Sequence, residues 1–479
     1  MEWETVIGLE VHVQLRTRTK MFCACRTTFG DPPNTNVCPV CLGLPGALPV
    51  PNAEAVRLGA AAALALGCTI HETSVFARKN YFYPDLPKGY QISQFDQPLA
   101  TGGRVTFESP ERGRIPAGIT RLHLEEDAGK LVHDRFPGRT AVDLNRAGVP
   151  LAEIVSEPDL RSPGEARAYL TTLRQILIYA GASECSMEQG SLRVDANISL
   201  RRPGEPLLGT KAEVKNLNSF ANVERALEAE RERQVALLES GERVAQVTLL
   251  FSAGTGQVKQ LRSKEESHDY RYFPEPDLPP LVLQDEWIGE CRDALPELPE
   301  ARRSRLEMAL GIPAYDARVL TSEVPLADYF ESVVVAGVEP KTAANWVMGD
   351  VIATFNETGG FPVSPPTLAE LVGLVRAGTL SHQAAKRVYA ELIQSPADAP
   401  AAVAERLGLV QVSDQDALAT WVDEVLAASA DEVARYRAGE TKLMGFFVGQ
   451  VMKRSRGKAD PKAVQPVLQE KLKQASRSG

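Results

Sequence analysis

Residues 6–15 read V-I-G-L-E-V-H-V-Q-L, with a polar side chain at every second position from residue 10 onward. Because successive side chains of a β-strand point to opposite faces, Glu10, His12 and Gln14 share one face and aliphatic residues occupy the other. We therefore predict a strand that gives one face to a hydrophobic core and the other face to a polar site.

The same alternation recurs elsewhere in the chain. It is found in residues 119–127, residues 191–201, the trio Lys211, Glu213 and Lys215, and the pair Asp143 and Asn145. One such strand alone could simply expose a polar face to water, as antiparallel sheets often do. Together, however, they supply Glu, His, Asp and Asn side chains, the ligands of a divalent metal ion that acts on a phosphate substrate.

The composition is that of an ordinary globular protein, with 44% hydrophobic residues and a length of 479 residues that suits about two to four domains. No stretch approaches the roughly 18 apolar residues of a membrane span, and residues 1–5 do not resemble a signal peptide. We therefore expect a cytoplasmic protein with no membrane contact. The net charge of −9 argues against nucleic-acid binding over the whole surface.

The C-terminal residues 440–479 differ from this average, because they contain nine Lys or Arg against three Asp or Glu. Such a run is either a solvated helix face or a contact for a phosphate backbone. Composition alone leaves both interpretations open.

The cysteines are unevenly placed. Cys23 and Cys25, followed by Cys38 and Cys41, have the spacing of a four-thiolate zinc site. Disulfides would be the alternative in a secreted protein, but a chain without a signal peptide is expected in a reducing compartment. We predict structural zinc, since no open coordination position is evident. The remaining cysteines are expected to be buried thiols: Cys68, Cys185 and Cys291.

The chain is predicted to be α+β, with three parts. Residues 1–293 alternate short strands, glycine turns and a few helices, and residues 272–281 form a proline-rich extended strap. Residues 294–405 and 406–479 are predicted to be two helical domains. The predicted helices are 53–66, 163–180, 222–240, 299–310, 327–336, 341–354, 366–377, 401–407, 414–428, 431–438, 441–455 and 461–476.

Missing motifs narrow the chemistry. The sequence contains no glycine-rich P-loop, so a nucleotide would have to be held by the sheet. It also contains no nucleophile elbow or paired Ser and Lys site. We therefore do not expect this chain to hydrolyse an amide.

Long sequence runs across the whole chain closely resemble the B subunit family of tRNA-dependent amidotransferases, GatB. The runs are residues 7–15, 78–93, 123–130, 143–151, 190–197, 215–220 and 268–278. The basic helical C-terminus resembles the tail domain that this family shares with YqeY proteins. One departure is visible, because the family usually has Q-E-T-R where residues 246–249 read Q-V-T-L.

The resemblance implies an N-terminal cradle of mostly antiparallel sheet with a zinc-binding insertion, followed by a helical domain and a tRNA-binding tail. It implies ATP-dependent phosphorylation of the side-chain carboxylate of Asp or Glu misacylated on tRNA(Asn) or tRNA(Gln). Ammonia from a glutaminase A subunit then displaces the phosphate. ATP, Mg²⁺ and structural Zn²⁺ would be the cofactors, and a small C subunit and a non-discriminating aminoacyl-tRNA synthetase would be further partners.

The resemblance also implies roles for individual residues. Glu10, His12 and Glu125 match catalytic magnesium positions, with Glu126 as a neighbouring ligand. The ATP, phosphate or acyl-group partners would be Arg193, Asp195, Lys211 and Lys215. The ammonia path would include Lys79, Tyr81 and Lys88, although a polar surface loop is the simpler interpretation. The tRNA contacts of the tail would be Lys453, Arg454, Arg456 and Lys458.

Two other functions remain open on the residues alone. The chain could be a non-catalytic, zinc-containing RNA-binding scaffold, although carboxylates on the polar face would repel phosphate unless a metal ion intervened. It could also be a free-standing carboxylate–amine ligase that takes ammonia from solution. Co-purification with partner chains would separate the last alternative from a subunit of a complex.

Overall fold

The computed structural model describes residues 2–263, 269–411, 415–455 and 459–474, and the chain divides into two compact units, residues 1–301 and 302–479. The first unit contains the sheets and the second is helical, which confirms the predicted α+β class. The strands are β1 (Glu4–Gln14), β2 (Thr69–Ile70), β3 (Thr73–Ser74), β4 (Phe76–Asn80), β5 (Tyr90–Gln94), β6 (Ala100–Thr101), β7 (Arg104–Ser109), β8 (Gly113–Glu126), β9 (Lys130–Phe136), β10 (Arg139–Asp143), β11 (Pro150–Ser156), β12 (Leu192–Arg201), β13 (Ala212–Leu217), β14 (Val247–Ser252), β15 (Gln257–Ser263), β16 (Phe273–Pro274) and β17 (Leu281–Val282).

A ten-stranded sheet dominates the first unit, in the order β15-β14-β13-β12-β1-β11-β8-β6-β2, with β7 paired to β8. Its neighbouring strands are antiparallel except for β13 and β14. Strand β1, which carries Glu10, His12 and Gln14, lies at the centre of this sheet, since it pairs with β12 on one side and β11 on the other. Because β1 is central, each polar side chain on it has a neighbouring strand on both sides.

Helices cover the apolar face of this sheet. They are α1 (Ala53–Ala65), α2 (Pro163–Tyr179) and α3 (Phe220–Glu239), and α4 (Asp285–Asp293) packs against α1. Ser162 caps α2 by accepting a hydrogen bond from the Glu165 N–H, and Pro163 begins the helix where no N–H is needed. Leu9 of β1 belongs to the same buried cluster as Leu173 of α2 and Leu227 of α3. Because this face is filled by the core, the polar residues of β1 point to the other side.

A small sheet in the order β16-β4-β5 carries the predicted strap. Phe273 and Pro274 of β16 pair with Arg78 and Ala77 of β4. Arg78 also donates two 2.8 Å hydrogen bonds to the fully buried carboxylate of Glu275. This double contact fastens the strap to β4.

The second unit contains separate hydrophobic clusters at residues 306–404 and 418–472. These cores support the predicted boundary near residue 405, although the three-part division stays a prediction. The helices are α5 (Pro299–Leu310), which crosses the boundary between the units, α6 (Ala314–Leu320), α7 (Val324–Val335), α8 (Pro340–Trp346), α9 (Ile352–Thr358), α10 (Pro365–Arg376), α11 (His382–Gln394), α12 (Pro400–Arg406), α13 (Gln415–Ala428), α14 (Ala430–Arg437), α15 (Met444–Arg454) and α16 (Pro461–Gln474).

Most predicted helices agree with these bounds, but three observed helices were not predicted. Two of them, α4 and α6, are only 9 and 7 residues long and offer little periodicity, whereas α11 does place Ala385, Val388 and Leu392 at helical spacing. The predicted helix 341–354 is interrupted, because a π-helical turn at Val347–Val351 separates α8 from α9. No described helix is long and apolar enough to cross a membrane.

Candidate functional site

A row of four polar side chains crosses the centre of the large sheet. Arg193 of β12 lies opposite His12 of β1, His12 lies opposite Glu153 of β11, and Glu153 lies opposite His123 of β8. Residues directly opposite each other in antiparallel strands share a face, with Cβ atoms about 4.5–5.5 Å apart. Strand register therefore brings these side chains together, although they are distant in the sequence.

Three side chains of this row, His12, His123 and Glu153, form an imidazole–carboxylate cluster together with Glu125 of β8. The Nε2 atom of His12 lies 3.2 Å from Glu153 Oε2 and 3.6 Å from Glu125 Oε1. The Nε2 atom of His123 lies 3.3 Å from the same Glu153 oxygen and 3.7 Å from Glu125 Oε2. His12 is the most accessible member, with 19% of its side chain exposed against 8% or less for the others.

The charges in the cluster depend on one another. Burial would lower the pKa of His12, but the hydrogen bond and charge of Glu153 outweigh burial and raise it. Burial is likewise outweighed at His123, where the charge of Glu153 raises the pKa to about 9. Burial would raise the pKa of Glu153, yet the positive charge of His123 holds it well below its usual range.

Three members of the cluster could hold a metal ion. One ligand atom from each of His12, Glu125 and Glu153 lies within 4.8 Å of the other two. Ligands at about 2.0–2.1 Å from a Mg²⁺ ion in octahedral geometry lie about 3 Å apart, close to the observed 3.2 and 3.6 Å contacts. Two carboxylates and an imidazole fit a divalent cation, and ion binding would compete with protonation of His12.

The small sheet forms a second wall beside the cluster. Ser93 of β5 donates a 3.1 Å hydrogen bond to Glu125. Ala77 of β4 lies opposite Ser93, and Lys79 is two positions further along the same face of β4. Burial would lower the pKa of Lys79, but the charge of Glu125 contributes to raising it, so this lysine stays cationic. Lys79 also lies 5.2 Å from the centre of the Tyr270 ring, and burial raises the pKa of neighbouring Tyr81.

Glu153 is the functional candidate that sequence reasoning missed. It is the single charged residue in β11, whose other side chains are aliphatic or small. A carboxylate within an otherwise apolar strand is the sequence pattern that could have identified Glu153, because charged residues are almost never buried unless they are paired.

Two predicted magnesium ligands lie outside the three-residue group. Glu10 lies on the same face of β1 as His12, two residues earlier in the strand. It accepts a 3.1 Å hydrogen bond from Asn197. Glu126 points away, because consecutive strand residues face opposite sides, and its Oε1 accepts a 2.9 Å bond from the Ile92 N–H. Lys88 forms an ion pair with Glu126 and so lies on that side rather than beside Lys79.

The residues predicted to bind ATP, phosphate or the acyl group do not all lie near the cluster. Arg193 donates to Asp127 at 2.8 Å, and Lys215 lies 2.5 Å from Asp195. Lys215 also contacts Glu213 at 3.0 Å. Lys211 is exposed and immediately precedes β13, so the structure brings Arg193 near the cluster and leaves Lys211 at the surface.

The pair Asp143 and Asn145 does not continue the polar face of the large sheet. Strand β10 pairs with β9 in a separate two-stranded sheet, so the expectation for this pair was wrong. Asp143 accepts a 3.1 Å bond from the Asn34 N–H, and Asn145 accepts a 2.8 Å bond from the Asn36 N–H. These contacts hold the loop that leads into the second cysteine pair.

The four predicted zinc ligands do converge. The Sγ atoms of Cys23, Cys25, Cys38 and Cys41 lie within 4.8 Å of one another. Hydrogen bonding from Cys23, with the nearby charge of Lys20, lowers the pKa of the Cys41 thiol to about 4. Four cysteine sulfurs that converge in this way suit zinc, which binds cysteine as the thiolate. The three isolated cysteines are buried, as predicted: Cys68, Cys185 and Cys291.

The pattern of the GatB/GatE catalytic domain matches residues 5–289, which contain the cluster, the small sheet and all four converging cysteines. The chain belongs to the GatB family. A second pattern, that of the GatB domain related to Yqey, matches residues 328–472. The resemblance stated from the sequence is therefore confirmed.

Similar proteins are named as the B subunit of aspartyl/glutamyl-tRNA(Asn/Gln) amidotransferase. The protein of Moorella thermoacetica is 55% identical over 478 residues, covering 98% of this chain and 100% of the relative. The protein of Geotalea daltonii is 53% identical over 479 residues with the same coverage. The protein of Thermosynechococcus vestitus is 52% identical over 489 residues, covering 99% of this chain and 98% of the relative.

The departure from the usual GatB sequence lies on β14. Val247 and Leu249 are buried in the core, where a charged pair would require partners. Between them, Thr248 donates a 2.9 Å hydrogen bond to Glu213, the residue that contacts Lys215. Thr248, which both motifs share, is therefore linked to Lys215 through Glu213, whereas no role of the family's Glu or Arg can be carried over to Val247 or Leu249.

The tail residues predicted to bind tRNA are only partly described. Lys453 and Arg454 end α15 and are exposed, and Arg454 donates a 2.7 Å bond to Glu424. Arg456 and Lys458 lie outside the described residues.

Proposed function

We propose that this chain activates the side-chain carboxylate of Asp or Glu misacylated on tRNA(Asn) or tRNA(Gln) by ATP-dependent phosphorylation. The observation that carries the proposal is the convergence of His12, Glu125 and Glu153 beside the half-buried cation Lys79. Phosphoryl transfer depends mainly on positioning and on positive charge at the transferred oxygens. The cluster supplies ligands for a metal cation. Lys79, on the neighbouring small sheet, supplies a second, fixed positive charge.

The proposed reaction has two steps. A carboxylate oxygen of the aminoacyl group attacks the γ-phosphorus of ATP, the bond to the β-phosphate oxygen breaks, and ADP leaves. Ammonia then attacks the acyl carbon, inorganic phosphate leaves, and the nitrogen loses a proton to give the amide. Phosphorylation is needed because an oxyanion is otherwise a poor leaving group.

His12, Glu125 and Glu153 would hold Mg²⁺, with Glu10 as a further oxygen donor two residues from His12. When bound, the ion would neutralise charge that develops on the phosphoryl oxygens. Glu126 is less suited to this role, because it pairs with Lys88 on the other side of the strand. Zinc at the four cysteines would be structural, because all four thiolates are protein ligands.

Arg193 and Lys215 are suited to bind phosphate or the acyl group, although each is paired with a carboxylate. Their partners Asp127 and Asp195 hold the cations in place, so a substrate anion would have to share them. Asp195 and exposed Lys211 would then contribute at the edge of the site. Lys79 and Tyr81 border the cluster, which supports their proposed place at the end of an ammonia path, with Lys88 further away.

The proposed partners are a glutaminase A subunit, a small C subunit and a non-discriminating aminoacyl-tRNA synthetase, in the cytoplasm. To test the function, the chain would be purified with its co-purifying partners and given misacylated tRNA, ATP and hydroxylamine in place of glutamine. Hydroxylamine should trap the acyl phosphate as a hydroxamate, with one ADP formed for each hydroxamate. Formation of AMP and pyrophosphate, or amide formation without ATP, would contradict the proposal.

The tail is proposed to bind the tRNA backbone, and neutralising Lys453, Arg454, Arg456 and Lys458 tests this. Because about four phosphate contacts would be lost, the KM for aminoacyl-tRNA should rise and depend less steeply on salt. The kcat at saturating tRNA should change little, since uniform binding has been removed.

As a control for the tail variant, Lys259→Gln with Arg292→Gln removes two exposed cations elsewhere in the chain and should leave KM unchanged. A fall in kcat alone, or an unchanged KM after truncation before Thr441, would show that the tail does not dock tRNA.

A further inference from the structure

Lys20 is a buried cation between the two cysteine pairs. Its solvent-exposed fraction is 0%, and it is among the largest fully buried side chains of the described chain. A buried ammonium group is costly unless an opposite charge compensates it. The surroundings of Lys20 must therefore supply negative charge.

The ammonium group of Lys20 has three acceptors, as many as it has N–H donors. Its Nζ lies 2.7 Å from the Asn36 carbonyl, 3.3 Å from the Leu144 carbonyl and 3.6 Å from Cys41 Sγ. The two carbonyls satisfy hydrogen bonds but carry no net charge. Of these three contacts, Cys41 alone can supply the compensating negative charge, as a thiolate.

Lys20 also joins the two halves of the cysteine site to the loop that enters β11. Its backbone N–H donates to the Cys25 carbonyl at 2.9 Å, and the N–H of Met21 donates to the Gly148 carbonyl at 2.8 Å. Gly148 lies two residues before β11, the strand that carries Glu153. Lys20 thus contacts the first cysteine pair through its backbone and the second through its side chain.

We propose that Lys20 is the built-in counter-ion of the metal-loaded four-cysteine site. The inference rests on the predicted zinc at these cysteines and not on the amidation reaction. Four thiolates and one Zn²⁺ ion carry a net charge of −2, and burying that charge without a cation is unfavourable. The ammonium group reduces it to −1 and donates a charge-assisted hydrogen bond to Cys41.

This arrangement predicts an effect whose size depends on the metal. With zinc bound, the site carries a net charge of −2, so loss of the lysine charge leaves it under-compensated and should destabilise the protein. With zinc removed, Lys20 faces fewer thiolates, so loss of its charge leaves less negative charge uncompensated. The loss of stability should therefore be smaller in the stripped variant than in the loaded variant.

The test uses the full chain with Lys20→Met and Lys20→Gln, of which the second keeps N–H donors but lacks the charge. Zinc transfer to a chromophoric chelator should be about ten- to a hundredfold faster in both variants, equivalent to about 1.4–2.8 kcal/mol. Thermal unfolding with and without zinc should show a larger loss of Tm for the loaded variants than for the stripped ones. Lys259→Met, an exposed lysine, is the control and should behave as wild type.

Each other result overturns the inference. Wild-type rates of zinc release in the folded variants would show that the charge does not matter. An equal loss of Tm in loaded and stripped protein would assign Lys20 a packing role only. Failure of the wild type to hold zinc would remove the site itself, and this outcome is separate from the proposed reaction because neither ATP nor tRNA is present.

Discussion

Glu153→Gln is expected to abolish ATP-dependent activation of aminoacyl-tRNA while leaving tRNA binding nearly unchanged. The substitution keeps the size of the side chain but removes the charge that faces both His12 and His123 at 3.2 and 3.3 Å. Loss of one ligand for the proposed ion should lower kcat by about a hundredfold or more, because charge stabilisation is the main source of rate enhancement in phosphoryl transfer. Hydroxamate trapping measures kcat, and filter binding measures tRNA affinity.

Glu125→Gln and His12→Ala should have the same effect, since they remove the other two proposed ligands. The matched control is Glu157→Gln, which changes an exposed carboxylate just beyond the end of the same strand as Glu153. Full amidation by all three cluster variants would refute the metal assignment. Equal loss of activity in the control would point instead to a general disturbance of β11.

Changing Cys23 and Cys38 together to Ser should eliminate zinc binding and strongly destabilise the first unit. Each loop would lose one of its two ligands, and the remaining two thiolates cannot complete a tetrahedral site. Structural zinc contributes directly to folding free energy, so we expect a Tm lower by about 4 °C or more, since even 1 kcal/mol shifts the Tm by about 2–4 °C in a large domain. Metal analysis after gel filtration should find one zinc per wild-type chain and none in the double variant.

The control for zinc binding is Cys291→Ser, which changes a buried thiol far from the converging four in the sequence. It should retain one zinc per chain. Wild-type protein purified without chelator and found free of zinc would refute the prediction for both variants.

The central strand and helices α1, α2 and α3 were predictable because their signals are local. The alternation around His12 defines β1, and Ser162 with Pro163 marks the start of α2. The cysteine spacing likewise predicted a convergence that the structure contains. The misleading signal was Asp143, whose alternation is real but belongs to a strand outside the large sheet.

By itself, therefore, the sequence determined which side chains share a strand face, which cysteines form a set and which family the chain belongs to. Only the tertiary structure decided that Glu153 completes the cluster, that Glu126 turns towards Lys88, and that Lys20 meets Cys41. The physical reason is that alternation along a strand is a local property of the backbone. Register between strands and packing between loops depend on residues far apart in the chain, whose proximity is created by folding alone.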